Sequence, residues 1–414
     1  MSLDLSAIRA QFPSLSITDD GLRRIYLDNP AGTQVPSLVV QRMSECLIEA
    51  NANLGGYFRT AELAGQVVDG ARAAMADFLN APSADEVTFG QNMTTLTLHL
   101  SRSIGQLLNA GDEIVLSRME HDANIGPWLL MARDHDLVVR WLPFNLETFE
   151  FDADALDAVL TERTKLLCIG GASNLTGSIN DIKSMCAKAH AVGAWSFVDA
   201  VQSAPHVLPD VQDIGCDFFT CSAYKFFGPH QGTLWARADV YAQLDPYKVR
   251  PAPLELPWRF ETGTQSHEGM AGTGAAVDYF ASIGASLTGS DDRRENLVAA
   301  FAAMFEYEKA LTAQLLGGLL SIDGVTFQGI SDPAALDRRV PTVSFTHTKH
   351  SPESIAKALG ERNIFVWNGH NYGLEPATAL GLLDTGGVVR IGLVHYNTAA
   401  EVDETLAAIE AIVS

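Results

Sequence analysis

The stretch that predicts the fold runs from residue 195 to residue 230 and reads WSFVDAVQSAPHVLPDVQDIGCDFFTCSAYKFFGPH. It holds two short apolar runs, Ser196–Val198 and Phe218–Thr220, and polar side chains follow each run. Short apolar runs between turn residues are typical of buried strands. Because ligands gather at the carboxyl ends of the strands in an open α/β sheet, the polar residues after these two runs are candidates for a site.

The same alternation of apolar runs and helix-period segments extends outward, from about residue 86 to residue 237. It predicts an α/β fold with a mostly parallel sheet of seven strands, in a large domain over residues 20–270. The other strand-like runs are Val87–Phe89, Ile114–Leu116, Leu137–Trp141, Leu166–Ile169 and Thr233–Ala236, and the helix-like segments are Thr94–Leu108, Ile125–His135 and Ile182–Val192.

The C-terminal part of the chain has a different pattern, in which a long helix-period segment is followed by a mixture of strands and helices. We predict from it a smaller α+β domain, formed by residues 271–414 together with residues 1–19. Its predicted helices are Arg293–Leu320, Pro352–Leu359 and Glu401–Val413, and its predicted strands are Val340–Thr346, Phe365–Trp367 and Val388–Leu393.

The composition excludes several classes of function. The 414 residues carry 28 Lys and Arg against 50 Asp and Glu, a net charge of −22, which disfavours nucleic acid and anionic membranes as partners. The five cysteines form no CxxC pair, and the first twelve residues have no signal-peptide pattern, so we expect a cytoplasmic protein. The sequence contains no motif for a metal, ATP or NAD.

Two residues after the quoted strands point to a carbonyl cofactor. Lys225 could form an imine with an aldehyde if its amine is desolvated and partly neutral, although a lone lysine is also compatible with the surface. Asp199 could keep a pyridinium ring protonated, or it could simply cap a helix or form a loop ion pair.

Polar residues after other predicted strands fit the same cofactor. Thr94 and Thr95 begin a helix, where they could bind a phosphate or merely cap the helix. His121 could stack on an aromatic ring or move a proton, or it could be a solvated or capping group. Asn174 and Gln202 could bond a phenolic oxygen, or they could be ordinary turn residues.

Longer motifs carry a family resemblance over almost the whole chain. The most specific is Ser222–Pro229, SAYKFFGP, which is similar to Ser-x-His-Lys-x-x-Gly-Pro. The sequence resembles the pyridoxal-phosphate enzymes of the class V aminotransferase group, in the branch of the cysteine desulfurases and selenocysteine lyases. The other matching segments are Tyr26–Thr33, Gly111–Ile114, Met119–Asn124, Val198–Gln202 and Gly215–Phe218.

The resemblance implies a fold-type I enzyme with pyridoxal phosphate as its cofactor. Lys225 then corresponds to the Schiff-base lysine, Asp199 to the partner of the pyridinium, and His121 to the catalytic, stacking ring. Asn174 and Gln202 correspond to the contacts of the phenolic oxygen. The positions that match phosphate-binding residues of the family are Thr94, Thr95, Ser222 and Tyr224, where Tyr224 replaces the usual histidine.

Two further segments imply a dimer and a substrate contact. Arg259–Thr264 resembles Arg-x-Glu-x-Gly-Thr, in which the threonine reaches the phosphate of the neighbouring subunit, so Thr264 implies a homodimer with shared sites. Arg390 matches the arginine that binds the substrate carboxylate, a role suited to a planar guanidinium. Without the resemblance, Arg390 could equally form a surface ion pair.

The segment Trp367–Tyr372 departs from the family pattern Arg-x-Gly-His-x-Cys, because Tyr372 stands where the persulfide-forming cysteine is expected. A phenol has neither the low pKa of a thiol nor its ability to accept sulfur. We therefore expect His370 and Tyr372 to contact the substrate and the persulfide route to be absent.

These observations favour an enzyme that binds pyridoxal phosphate on Lys225 and removes the Cα proton of a small α-amino acid with the released amine. We expect a cysteine desulfurase-like reaction, of the C–S lyase type that eliminates a β-substituent. Transamination and epimerisation remain open, because neither needs a cysteine. A non-catalytic relative that retains the fold is the alternative from another class of function.

Overall fold

The computed structural model describes residues 3–414, so residues 1 and 2 of the predicted small domain lie outside the described residues. Polar caps begin several helices: the Asn92 and Thr398 side chains each form a capping box with the third residue of the helix that follows. The helices are α1 Leu5–Ala10, α2 Ser37–Glu49, α3 Arg59–Leu79, α4 Met93–Gly105, α5 Gly126–Asp134, α6 Ala155–Val159, α7 Ile182–Ala191, α8 Val211–Ile214, α9 Ala238–Tyr241, α10 His267–Thr288, α11 Arg293–Leu320, α12 Pro352–Gly360, α13 Leu374–Ala379 and α14 Ala399–Val413.

The strands include all seven runs that the sequence predicts for the large domain. The strands are β1 Thr18–Asp19, β2 Leu22–Arg23, β3 Ile25–Tyr26, β4 Val87–Gly90, β5 Glu113–Ser117, β6 Val138–Leu142, β7 Thr164–Gly170, β8 Trp195–Asp199, β9 Phe218–Ser222, β10 Gly232–Ala236, β11 Val325–Phe327, β12 Thr342–His347, β13 Ile364–Phe365, β14 Trp367–Gly369 and β15 Val388–Gly392.

Within the described part of the chain, seven strands form one sheet in the order β4-β10-β9-β8-β7-β5-β6. Strand β10 is antiparallel to β4 and β9, and the other neighbours are parallel. The predicted α/β fold with a mostly parallel seven-stranded sheet is therefore confirmed. Since β4 and β9 are both antiparallel to β10, they run in the same direction, and their carboxyl ends share one edge of the sheet.

Both faces of this sheet are buried. Neighbouring residues of one strand alternate between two apolar layers: Phe218 belongs to the cluster that holds Trp128 of α5, and Phe219 belongs to the cluster that holds Phe78 and Phe280. Helices cover the two faces, so successive side chains of a strand both leave water. This burial is the reason that these strands read as continuous apolar runs in the sequence.

A smaller antiparallel sheet, in the order β11-β12-β15-β14, packs with α11, α12 and α14. Its core also includes Ile25 and Leu27 from the early part of the chain. Helix α10 packs its apolar side chains into the core of the large sheet, with α2 and α3. The division into domains at residues 20–270 stays a prediction.

Residues 3–414 contain neither a membrane-spanning helix nor a cluster of metal ligands. None of the helices there is both long and apolar enough to cross a membrane. Those residues also contain no group of three or more His, Cys, Asp and Glu side chains that could hold a metal ion.

A buried ion pair anchors the segment after β10 to the sheet. The Arg72 guanidinium donates to both carboxylate oxygens of Glu261, at 2.7 and 2.8 Å, and Glu261 also accepts from the backbone N–H of Phe89 at 3.0 Å. Both side chains of the pair are at most 5% exposed. The pair therefore fixes the loop that carries Thr264.

We predict that Glu261→Gln lowers the free energy of unfolding by about 3–5 kcal/mol, because it leaves the buried Arg72 charge without a counter-ion. Urea denaturation measures this loss. The control is Asp134→Asn, which breaks the exposed pair with Arg133 and is expected to cost under about 1 kcal/mol. Equal losses in the two variants would contradict the anchoring role.

Candidate active site

The carboxyl ends of five strands bring the predicted site residues to one edge of the large sheet. Asp199 ends β8, and Ser222 ends β9. A short 3₁₀ turn, Ala223–Lys225, follows directly. Strand β4 leads to the N-terminus of α4, strand β5 to His121, and strand β7 to Asn174.

Lys225 is partly buried, and its Nζ donates to the backbone oxygens of Pro30 and Ala31 at 2.5 and 2.9 Å. Burial and the positive charge of Arg390 lower the pKa of the Lys225 amine to about 7, and the carboxylates Asp28 and Asp199 oppose this shift. A substantial fraction of the amine is then neutral near neutral pH. Such an amine can attack a carbonyl or accept a proton.

Asp199 is buried, and its Oδ1 accepts a hydrogen bond from the backbone N–H of Val201 at 2.9 Å. Burial raises the pKa of the Asp199 carboxyl to about 6, although this hydrogen bond and Lys225 favour the ionised form. A buried carboxylate is stabilised by a cationic partner. Asp199 is therefore suited to hold a protonated ring nitrogen.

His121 lies beside these groups as a neutral ring. Its Nδ1 accepts from the backbone N–H of Ala123 at 3.0 Å, so His121 also caps a short 3₁₀ turn, as the alternative interpretation expected. Burial, together with the charges of Lys225 and Arg390, lowers the pKa of His121 to about 4. The ring stacks on Tyr372, with centroids 5.5 Å apart and planes 18° from parallel.

Thr94 and Thr95 are exposed at the N-terminus of α4, where a helix has unpaired N–H groups. The Thr95 hydroxyl belongs to the capping box with Asn92, as the capping alternative expected, and it donates to the Asn92 backbone oxygen at 2.9 Å. The Ser222 hydroxyl accepts from the backbone N–H of Met93 at 3.1 Å. The helix end, Ser222 and exposed Thr94 thus form a neighbourhood that suits an anion.

Tyr224 stacks on the His230 ring with centroids 4.9 Å apart, and its own ring lies 4.7 Å from the Nζ of Lys225. Thr264 is exposed on the loop that Glu261 anchors. No contact in the single chain joins Thr264 to the other candidate residues within the described residues, so its role stays a prediction.

Asn174 and Gln202 are both buried but differ in how they are bonded. Asn174 donates to the backbone oxygen of Asn371 at 2.7 Å, and its Oδ1 has no hydrogen-bond partner among the described residues. Gln202 donates to the Thr342 hydroxyl at 2.8 Å, which joins it to the small sheet. Asn174 therefore has an acceptor available for a ligand, whereas the Gln202 amide nitrogen is engaged.

Arg390 is only 4% exposed, so it is not on the surface. Its Nη1 donates to the backbone oxygen of Asn174 at 3.2 Å, and its Nη2 lies 3.6 Å from the Oδ1 of Asp28. Desolvation lowers the pKa of the Arg390 guanidinium and raises the pKa of the Asp28 carboxyl. The structure thus places the Arg390 guanidinium close to Lys225 and His121.

The loop that carries His370 and Tyr372 is held against the site. Asn371 and Tyr372 both adopt left-handed backbone, with φ of +52° and +59°. The His370 ring accepts from the backbone N–H of Tyr372 at 3.1 Å, and the backbone oxygen of Tyr372 accepts from the N–H of Asp122 at 2.7 Å. Left-handed backbone is strained for residues other than glycine, so tertiary contacts hold this conformation.

Sequence reasoning assigned no role to Glu120 and Asp28. The Glu120 carboxylate is buried and accepts from the Ser117 hydroxyl at 2.5 Å, the Asn124 amide at 2.8 Å and the backbone N–H of Gly170 at 2.8 Å. Burial raises the pKa of Glu120 to about 7, and Asp199 adds to the shift. In the sequence, Glu120 could have been found as a carboxylate directly before the candidate His121. Asp28 could have been found because it lies in the matching segment Tyr26–Thr33.

Comparisons with known proteins identify the family of this chain. The sequence profile of the family described as "Aminotransferase class-V" matches residues 25–405. A cysteine desulfurase of Pectobacterium atrosepticum is 31% identical over 430 residues, which cover 100% of this chain and 98% of that protein. A cysteine desulfurase of Enterobacter sp. is 31% identical over 428 residues, which cover 100% of this chain and 99% of that protein.

Two solved structures resemble the fold over the whole chain. A cysteine desulfurase of Escherichia coli has a TM-score of 0.84 and 25% identity, with 100% of this chain and 99% of that chain covered. The apo structure of a cysteine desulfurase from Thermococcus onnurineus has a TM-score of 0.87 and 25% identity, with 100% of this chain and 98% of that chain covered.

We predict that the Lys225 amine reacts with an acylating reagent at a rate that rises through about pH 7 in the cofactor-free protein, because the neutral amine is the nucleophile. Competitive labelling followed by mass spectrometry of each lysine measures this profile. Exposed Lys183 is the internal control, since pairing with Asp213 raises its pKa above the usual value. Identical profiles for the two lysines would refute the desolvation of Lys225.

Proposed function

Because the family profile matches residues 25–405, the chain belongs to the class V aminotransferase family, and from this premise we propose a pyridoxal-phosphate enzyme that cleaves the C–S bond of cysteine. The full-length similarity to cysteine desulfurases supports the substrate class. The observation that carries the reaction type is the position of Tyr372 on the loop at the site, where no cysteine is present.

The residues at the sheet edge fit this cofactor by their chemistry. Lys225 offers an amine whose pKa is lowered to about 7, and Asp199 a buried carboxylate for the ring nitrogen. The flat, neutral His121 ring can stack on the cofactor. The start of α4 and Ser222 suit the phosphate. The Oδ1 of Asn174, which has no hydrogen-bond partner among residues 3–414, can accept a hydrogen bond from the phenolic hydroxyl. Bound pyridoxal phosphate would supply an electron sink for the charge left at Cα.

Side chains of this protein can bind the substrate and remove its Cα proton, as a β-elimination requires. Arg390 binds the carboxylate of the amino acid and orients its Cα toward Lys225. The Lys225 Nζ would take the Cα proton, the released electron pair would form the second bond between Cα and Cβ, and sulfur would leave Cβ as sulfide with its bonding pair. Hydrolysis of the resulting aminoacrylate would give pyruvate and ammonia, so that cysteine and water yield pyruvate, ammonia and sulfide.

A persulfide route lacks a suitable thiol. All five cysteines of the chain are buried. Burial raises the pKa of Cys186 to about 11, and burial likewise raises the pKa values of Cys168, Cys216 and Cys221. Because the thiolate is the form that attacks sulfur, these groups are poor acceptors. The geometry therefore supports release of sulfide.

We also propose that the enzyme works in the cytoplasm as a homodimer with shared sites. Thr264 supports the dimer, because it is exposed on an anchored loop and has the family position that contacts a neighbouring phosphate. The unpaired, buried thiols are compatible with a reducing compartment.

We expect the protein reconstituted with pyridoxal phosphate to show a visible absorbance band of the bound cofactor. Borohydride should fix the cofactor to Lys225, which peptide mapping identifies. Lys225→Ala should remove the adduct and lower turnover by roughly 10²–10⁴-fold or more, because both the attachment point and the base are lost. Lys183→Ala is the control and should retain both. A protein without the band would instead favour a non-catalytic relative of the fold.

With L-cysteine, we expect sulfide, pyruvate and ammonia from the natural protein and from Tyr372→Phe. Tyr372→Cys should add alanine and a persulfide on the loop, because it places a thiol where the family carries one. Chromatography of the products and mass spectrometry of the loop peptide measure the two routes. Alanine from the natural protein would refute elimination. A sulfur-retaining keto acid would indicate transamination, and D-cysteine would indicate epimerisation.

A further inference from the structure

Backbone pairing holds Asp28 and Arg390 next to each other. Arg390 lies in β15, and Asp28 follows β3 and forms a parallel bridge with Gly392 of β15. The bridge holds the aspartate beside the strand that carries the arginine. The Asp28 and Arg390 side chains are 13% and 4% exposed, so both charges are largely removed from water.

The contact between the two groups is incomplete. The 3.6 Å between Asp28 Oδ1 and Arg390 Nη2 is within reach of an ion pair but too long for a hydrogen bond. Asp28 Oδ1 and Arg390 Nε have no hydrogen-bond partner among the described residues. Buried donors and acceptors are usually paired. A guanidinium with an unused donor can accept a carboxylate in the forked geometry that arginine favours.

The surrounding charges make two carboxylates at this position unfavourable. Asp28 faces Arg390 from β15, Lys225 from the turn after β9, and Tyr26 from the preceding strand β3. Burial raises the pKa of the Asp28 carboxyl, although Arg390 and Lys225 favour its ionised form. A second carboxylate on Arg390 would add a like charge nearby, so Asp28 would have to turn away or take up a proton.

We propose that Asp28 is a positioning residue that holds the Arg390 guanidinium until the carboxylate of the substrate displaces it, and that this competition weakens substrate binding. The inference rests on the proposed function, in which Arg390 binds the substrate carboxylate. Asp28 thus acts through Arg390 and does not take part in bond breaking. It keeps the buried guanidinium neutralised and oriented in the ligand-free site.

The test is calorimetric binding of 3-mercaptopropionate to the cofactor-loaded protein, because this ligand has a carboxylate and a thiol but no amine that could replace Lys225. Asp28→Asn should bind it about tenfold more tightly, since the competing anion is lost. Titration in buffers of different ionisation enthalpy counts protons, and the natural protein should take up more protons on binding than Asp28→Asn. Asp134→Asn removes the same charge at an exposed position and should change neither quantity.

Two further variants distinguish a failure of the proposed competition from a failure of the proposed function. Asp28→Glu retains the anion and should bind the ligand no more tightly than the natural protein, which distinguishes competition from a loss of packing. Arg390→Gln should abolish binding. Unchanged binding in Arg390→Gln would refute the role of Arg390 in the proposed function. Loss of binding there, with unchanged or weaker binding and unchanged proton uptake in Asp28→Asn, would refute only the competition.

Discussion

The site depends on one electrostatic constraint, which is that two cations and two anions share a poorly solvated volume at the edge of a sheet. Burial and the charge of Arg390 lower the pKa of the Lys225 amine, and Asp28 and Asp199 counteract this effect. Burial also lowers the pKa of Arg390, which Asp28 opposes. Removing charged groups from water makes their mutual interactions strong. This is why the lysine amine is available as a nucleophile and base, while the two carboxyl groups have raised pKa values.

The fold satisfies this constraint by close packing of strand ends. A Cβ on Gly232 would lie 2.4 Å from the backbone carbon of Asn92, so the start of α4 can approach β10 only because that position is a glycine. On the other side of the site, the Glu120 carboxylate accepts a hydrogen bond from the backbone N–H of Gly170 and so links the turn before His121 to the end of β7. The first contact positions the start of α4, and the second positions the turn that carries His121.

The loop with Tyr372 is where this protein differs from the cysteine desulfurase pattern that its motifs resemble. Its backbone bonds to Asn174 and Asp122 hold the aromatic ring over His121, despite two successive left-handed residues. A strained conformation kept in place by tertiary contacts is typical of functional segments. Under the proposed function, the Tyr372 phenol stands where the family pattern has a cysteine and cannot accept sulfur, which favours elimination over persulfide formation.

The sequence determined the strands of the large sheet, several helices and the polar residues that follow the strands, because these depend on local periodicity and residue type. Helix α11 has the predicted bounds, Arg293–Leu320. The predicted strand Phe365–Trp367 instead divides into β13, which pairs with β3, and β14, which pairs with β15. Only the tertiary structure revealed that the strand divides, because pairing partners distant in the chain decide it. The same reason applies to the Asp28–Arg390 pair and to the burial that sets the pKa values of Lys225 and Glu120, since residue spacing along the chain carries no information about burial or long-range contacts.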